Sequence, residues 1–116
     1  MPFSDYKVAL VTGASAGMGE AIVERLCQQG IRVHASALTE LCRDLQVDIL
    51  VNNAGVSRPG SILNADEESV DTQVDVNLRA VLHLCRLLVP GMVERDCGHV
   101  INITSIAAIY NFNGNS

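Results

Sequence analysis

At 116 residues the chain is sized for one compact domain, and 48% hydrophobic against 18% charged residues excludes a disordered or low-complexity polypeptide. Eight basic against thirteen acidic residues leave a net charge of −5, which speaks against nucleic acid or an anionic membrane as a partner. Four cysteines, with no Cys-x-x-Cys and no histidine pair beside them, indicate neither zinc nor a disulfide framework, so buried, reduced thiols and no metal are expected. The leading MPFSDYK lacks the regions of a secretion signal. The most apolar stretch, Val74 to Val93, is interrupted by Asp75, Asn77, Arg79, His83 and Arg86, so a soluble cytoplasmic protein without a membrane span is expected.

Lys7 to Thr12 (KVALVT) is an aliphatic run without polar alternation, the pattern of a strand buried on both faces of a parallel sheet. A helix follows from Gly17 to Gln29, with Met18, Ile22, Val23 and Leu26 at helical spacing and Gly30 as its C-terminal cap. Ile31 to Ala35 reads as a second strand, Thr39 to Gln46 as a short helix and Val47 to Asn52 as a third strand. Val56 to Asn64 is a loop. A long helix then runs from about Glu67 to Val89, ending or kinking at Pro90, with Val74, Leu78, Val81, Cys85 and Leu88 turned to the sheet. His99 to Thr104 is a fourth strand, and Ile106 to Ser116 dissolves into Asn, Gly and Ser. Strands alternating with helices define an α/β domain spanning 1–116, a doubly wound parallel sheet of Rossmann type with helices on both faces.

The first strand delivers into Thr12-Gly13-Ala14-Ser15-Ala16-Gly17-Met18-Gly19. Glycines there permit a tight turn, let bare backbone approach a pyrophosphate and let the helix pack close, while the helix N-terminus offers free N–H groups to phosphate. The order G-x-x-x-G-x-G resembles the short-chain dehydrogenase/reductase family (SDR). Further matches follow along nearly the whole chain: Asn52-Asn53-Ala54-Gly55 closing the VDILV strand, Asn77 within VNL, Pro90-Gly91-Met92, and Gly98 to Ser105 (GHVINITS).

The resemblance implies an NAD(P)-dependent oxidoreductase that transfers hydride between nicotinamide and an alcohol or carbonyl carbon of a small molecule. Gly13, Ser15, Gly17, Met18 and Gly19 would cradle the pyrophosphate, with Asn53, Ala54 and Gly55 beside the adenosine. Thr12 would tie the glycine turn to the Asn-Asn-Ala-Gly segment. Ser105 would orient the substrate oxygen, and Asn77 would anchor a water in the proton relay. Bland alternatives stand beside each: strand-end asparagines, an exposed helix residue, a serine capping a turn. Arg58 reads as a solvated loop residue, and His34, His83 and His99 as structural.

Two departures qualify the resemblance. The family's acid/base tyrosine, with a lysine four residues on, is expected near position 118; Tyr110 comes too early, Gly114 stands four residues after it, and the single lysine, Lys7, precedes the first strand. Residues 1–116 therefore lack the group that moves the proton, the chain as written is not expected to be active alone, and the fold is incomplete on its C-terminal side. Between Gly30 and Asn52 the chain is also short by about one strand-helix unit. Ser36, Ala37 and Leu38 supply neither the acidic residue expected for ribose hydroxyls nor a basic one for a 2′-phosphate, and Glu40 is the nearest acid, so NAD and NADP are not separated. An internal deletion, a fragment and a sequence with a dropped segment all fit; the last would leave consecutive residues between Ala35 and Glu40 unbonded.

A second function class stays open, a catalytically silent nucleotide- or partner-binding module of the same fold. The long helix shows Val70, Leu82, Leu84 and Leu87 beyond its sheet-facing stripe, more apolar surface than one buried face needs. A homo-oligomer is expected through it.

Overall fold

The computed structural model describes residues 2–35 and 44–110. Its four strands, β1 (Val8–Val11), β2 (Arg32–His34), β3 (Ile49–Asn52) and β4 (His99–Asn102), form one sheet in the order β2-β1-β3-β4. Every pairing is parallel. Helix α1 (Gly17–Gln28) links β1 to β2. One helix of 28 residues, Glu67–Glu94, links β3 to β4; it comprises α2 (Glu67–Val74), a π-turn (Asp75–Arg79) and α3 (Ala80–Glu94).

The continuous apolar runs of β1 and β3 have a direct cause in this layering, because alternate side chains enter two different cores. Ala9, Val11, Ile49 and Val51 meet Leu26 of α1, while Leu10, Leu50 and Val47 meet Leu84, Leu88 and Met92 of α3. The sheet thus has a helix on each face, as expected of a doubly wound fold. Helix α1 ends where the sequence suggests: Gln29 is the C-cap and Gly30 follows at φ +79°.

Several expectations are corrected. Strand β2 is confined to Arg32–His34 and β4 stops at Asn102, short of Thr104. Met18 lies 61% exposed instead of on the buried face of α1. Pro90 neither ends nor stops the long helix, which continues to Glu94 with the proline exposed. Of the stripe proposed for this helix, Leu88 is buried, Val81 and Cys85 are half-buried, and Val74 and Leu78 face outward at 42% and 55% exposure. The π-turn is the reason. One residue beyond the α-helical repeat rotates the preceding turns by about 100° relative to the following ones, so a regular 3.6-residue pattern carried back from Leu88 fails upstream of it. Leu84 belongs to the sheet-facing core and Leu87 packs against it, so the outward apolar row is Val70, Val74, Leu78 and Leu82.

The thiols are not buried either. Cys27 is exposed, Cys85 and Cys97 are half-buried, and all three are free. Cys42, the expected crossover helix over Thr39–Gln46 for its greater part, Glu40 and the Ala35–Glu40 join lie in or against the residues outside the described part.

Two features had no sequence signal. A 3₁₀ turn, Phe3–Asp5, precedes β1, and Tyr6 stands edge-on to both Phe3 and His99. Asp48, 8% exposed, accepts hydrogen bonds from the backbone N–H of Lys7 and Val8 on one carboxylate oxygen and faces Arg95 at 3.6 Å with the other. Arg95 also donates to the Val47 carbonyl, so the start of β1, the start of β3 and the end of α3 are stapled together beneath the sheet.

Candidate functional site

At the opposite, C-terminal end of the strands, two turns hold each other. The Thr12 hydroxyl accepts from the backbone N–H of Asn53 and of Ala54, at 3.1 and 2.9 Å. In return the Asn53 amide donates to the carbonyls of Thr12 and Gly13, at 3.1 and 3.0 Å. The tie expected of Thr12 is therefore present, and Asn53 completes it from the other side.

This lock assigns different reasons to the glycines. Gly13 has φ +61°, and a Cβ on it would stand 2.8 Å from the Ala54 Cα. Gly19 is buried, and a Cβ there would run into the Gly13 carbonyl and the Asn53 amide. Gly17 also has a left-handed backbone, φ +62°, but faces open space. Two glycines thus let the turns interlock, and the third shapes the entry to α1.

Helix α1 starts at Gly17 behind Ala16, which has no side chain able to cap it. Its first N–H groups are left for a partner, with Ser15, Gly17 and Met18 exposed around them. A pyrophosphate fits such a terminus: donors point outward, no side chain occupies the approach to Gly17, and the helix dipole favours an anion.

The third expected element is Asn77, inside the π-turn. Its Oδ1 accepts from the Val56 N–H at 2.9 Å and its Nδ2 donates to the Val56 carbonyl at 2.8 Å. This two-way clamp fixes the chain leaving the Asn-Asn-Ala-Gly segment. Ser105 follows β4, where it caps the 3₁₀ turn Ile106–Ala108 by accepting from the Ala107 N–H at 3.1 Å. The alternative weighed for Ser105, a turn-capping serine, thus describes its present hydrogen bond.

These three pieces line one cleft of about 560 Å³, walled by residues 52–57, by Asn77 and Val81, and by residues 102–105. Gly13, Ser15, Gly17, Met18 and Gly19 do not line it and sit alongside, joined to it through Thr12 and Asn53. The cleft wall carries amides, hydroxyls and aliphatic groups without an ionisable side chain. Asn102, not singled out from the sequence, accepts from the buried Asn52 amide at 2.8 Å across the β3–β4 pair. An Asn-x-Thr-Ser ending on the fourth strand opposite the Asn-Asn ending on the third was the signal available. Among the described residues no cluster of His, Cys, Asp and Glu could hold a metal ion. Away from the cleft lining, Asp66, which caps α2, is held below the ordinary aspartate value of 3.8, chiefly by the hydrogen bond from the Ser69 N–H and less by the nearby Arg58.

The sequence profile of the family described as short chain dehydrogenase matches residues 37–116. An uncharacterized oxidoreductase of Staphylococcus saprophyticus is 32% identical over 139 residues, covering 87% of this chain and 59% of that protein. An NADP-dependent 3-hydroxy acid dehydrogenase of Escherichia coli K12 is 33% identical over 144 residues, covering 92% and 57%. Among solved structures, the closed form of a serine dehydrogenase complexed with NADP+ superposes with a TM-score of 0.81 at 31% identity, covering 92% of this chain and 57% of that one. The chain thus spans somewhat under six-tenths of the length of the curated relatives it matches. Against the Staphylococcus protein, 87% of 116 residues is about 101, so the 139-residue match leaves about 38 positions of the alignment without a counterpart here.

Proposed function

This chain belongs to the short-chain dehydrogenase family, and from that premise we propose that residues 1–116 form a partial NAD(P)-binding Rossmann-type domain of a cytoplasmic oxidoreductase acting on a small alcohol or carbonyl compound. The observation that carries the proposal is the convergence of Asn52–Gly55, Asn77 and Ser105 on one cleft beside an interlocked glycine turn and an uncapped helix N-terminus. When bound, the nicotinamide cofactor supplies or accepts the hydride. The N–H groups at the start of α1 bind the pyrophosphate, with Gly13, Ser15, Gly17, Met18 and Gly19 around it. Asn53, Ala54 and Gly55 form the wall beside the adenosine. Ser105 holds the substrate oxygen through its hydroxyl, exchanging its turn-capping bond for that contact, and Asn77 steadies the cleft and a water within it.

NADP is the first nucleotide to try, because relatives and a structural neighbour carry that name. Calorimetric titration with NADP+ and NAD+ tests the reading: saturable binding of one of them is expected, and binding of neither overturns it. A second reading, a nucleotide-binding module without turnover, is favoured for residues 1–116 by the absence of a Tyr-x-x-x-Lys segment from them. It predicts nucleotide binding with no change in nicotinamide absorbance when alcohols or ketones are added.

A homo-oligomer belongs to the same proposal. The outward row Val70, Val74, Leu78 and Leu82 lies on a helix that carries Glu67, Glu68, Asp71 and Asp75 over its first nine residues, then Arg79 and Arg86, and Glu94 at its end. A second copy laid antiparallel along it would cover the apolar row and bring the acidic segment 67–75 of each copy towards Arg79 and Arg86 of the other. Light scattering is expected to give a dimer or larger assembly at micromolar concentration, and a stable monomer overturns this part.

A further inference from the structure

The two edges of the sheet differ in chemistry. On the β2 edge Arg32 is exposed and sets a charge along the rim. On the β4 edge nothing of that kind stands: from Cys97 to Tyr110 there is no Asp, Glu, Lys or Arg, and no proline. Strand β4 also turns polar backbone outward. The His99 N–H donates to the Asp48 carbonyl at 2.8 Å and the Ile103 N–H to the Asn52 carbonyl at 2.9 Å, so the odd-numbered residues serve β3. Successive residues of a strand address opposite edges. The N–H and C=O groups of Val100 and Asn102 therefore point away from β3, where no further strand lies among the described residues. Between them Ile101 is 38% exposed, although it stands in register with Val51, which is 1% exposed.

An open strand edge without a charge is a template for another strand. We propose that β4 pairs with β4 of a second copy, antiparallel about a two-fold axis at Ile101, and joins the two sheets into one. The edge is symmetric about that residue. With Ile101 opposite its own counterpart, Val100 of each copy faces Asn102 of the other, and each such pair exchanges both of its N–H···O=C bonds. Ile101 and its counterpart then form the close pair between them, with Cα atoms about 4.5 Å apart. The exposed apolar side chains cover each other, and the outward backbone groups of both copies are satisfied together. Charge selects the same stretch, because two chains of net charge −5 repel least where neither carries a formal charge. The interface uses the rim of the sheet instead of the outward row of the long helix, and it holds whether or not nucleotide binds.

Amide hydrogen exchange on the ¹⁵N-labelled chain tests the pairing without any substitution. Exchange at Val100 and Asn102 is expected to slow as the chain concentration is raised from micromolar towards millimolar. Fast exchange at every concentration overturns the proposal; so does protection that is independent of concentration, which assigns the edge to another part of the same chain. Ile101→Cys is expected to give a disulfide-linked dimer on air oxidation, beyond what the native cysteines of the parent yield, because Cα atoms at that spacing fall within disulfide range. Thr104→Cys is expected to add none, since the two-fold register holds its counterpart about 20 Å away. Equal linkage by both variants, or by neither, overturns the register. Ile101→Lys sets two ammonium groups against each other, and the mass of the assembly in light scattering is expected to halve. An unchanged mass overturns the proposal, and the exchange measurement decides it where Ile101→Lys does not fold.

Discussion

The two helices that begin on the cleft side of the sheet start in opposite ways. Helix α2 opens behind Asp66, whose carboxylate takes the Ser69 N–H at 2.7 Å, followed by Glu67 and Glu68 in the first turn. Helix α1 opens behind Ala16, with no side-chain acceptor. A helix start that supplies its own negative charge has no use for a ligand, whereas one that withholds it has donors to offer. The difference also separates the two ends within the domain: α2 is capped by its own sequence, and α1 leaves its first N–H groups without a side-chain acceptor.

The contrast breaks most severely if the turn in front of α1 is wedged open. Gly19→Val drives side-chain atoms into the Gly13 carbonyl and the Asn53 amide, and a loss of about 3 kcal/mol in chemical denaturation is expected, with loss of nucleotide binding. Gly17→Ala meets open space and suffers only its left-handed backbone, about 1 kcal/mol, so the pair separates steric need from conformational need. Thr12→Val keeps the volume and removes the acceptor for two backbone donors; about 2 kcal/mol or more should be lost, read as a lowered denaturation midpoint.

Giving α1 the cap it lacks sharpens the comparison directly. Ala16 already has the extended backbone of an N-cap, φ −160° and ψ 163°. Ala16→Asp should stabilise the domain by about 1 kcal/mol. It should also weaken nucleotide binding roughly ten-fold by placing a carboxylate at the terminus proposed for the pyrophosphate. A variant both more stable and undiminished in affinity refutes the assignment of this terminus.

The smallest effect belongs to α2. Asp66 has its proton affinity lowered in the folded chain, so the stability it contributes is complete above the unfolded value near 3.8 and disappears as pH falls through the lower folded value. Asp66→Ala should therefore melt below the parent at pH 7, with the gap closing towards pH 3. A gap independent of pH shows that the carboxylate charge is not what caps α2.

Most of this architecture is legible from local chemistry. The runs VALV and ILVN are apolar on both faces because both faces are covered, and the Thr12, Gly13 and Asn53 signature appears together because each residue answers another across the turn pair. The candidate site residues Asn77 and Ser105 were legible as positions but not as contacts: that Asn77 clamps Val56 depends on the helix axis passing close to the loop. The Asp48–Arg95 staple joins segments remote in sequence, and no spacing rule connects them. The outward turn of Val74 and Leu78 was hidden because the sequence carries no local mark of where a helix takes an extra residue.

That extra residue has a bearing on how the chain tolerates change in length. Asp75–Arg79 holds one residue more than regular winding requires, and the surplus is what aims the Asn77 amide at Val56. A deletion of one residue here, usually ruinous to a helix packed on a sheet, would leave the Leu84, Leu88 and Met92 side undisturbed while swinging the preceding turns by about 100°. The packing of the domain and the aim of its asparagine are thus set by separate lengths of one helix, and an insertion or deletion at this point reaches the second without passing through the first.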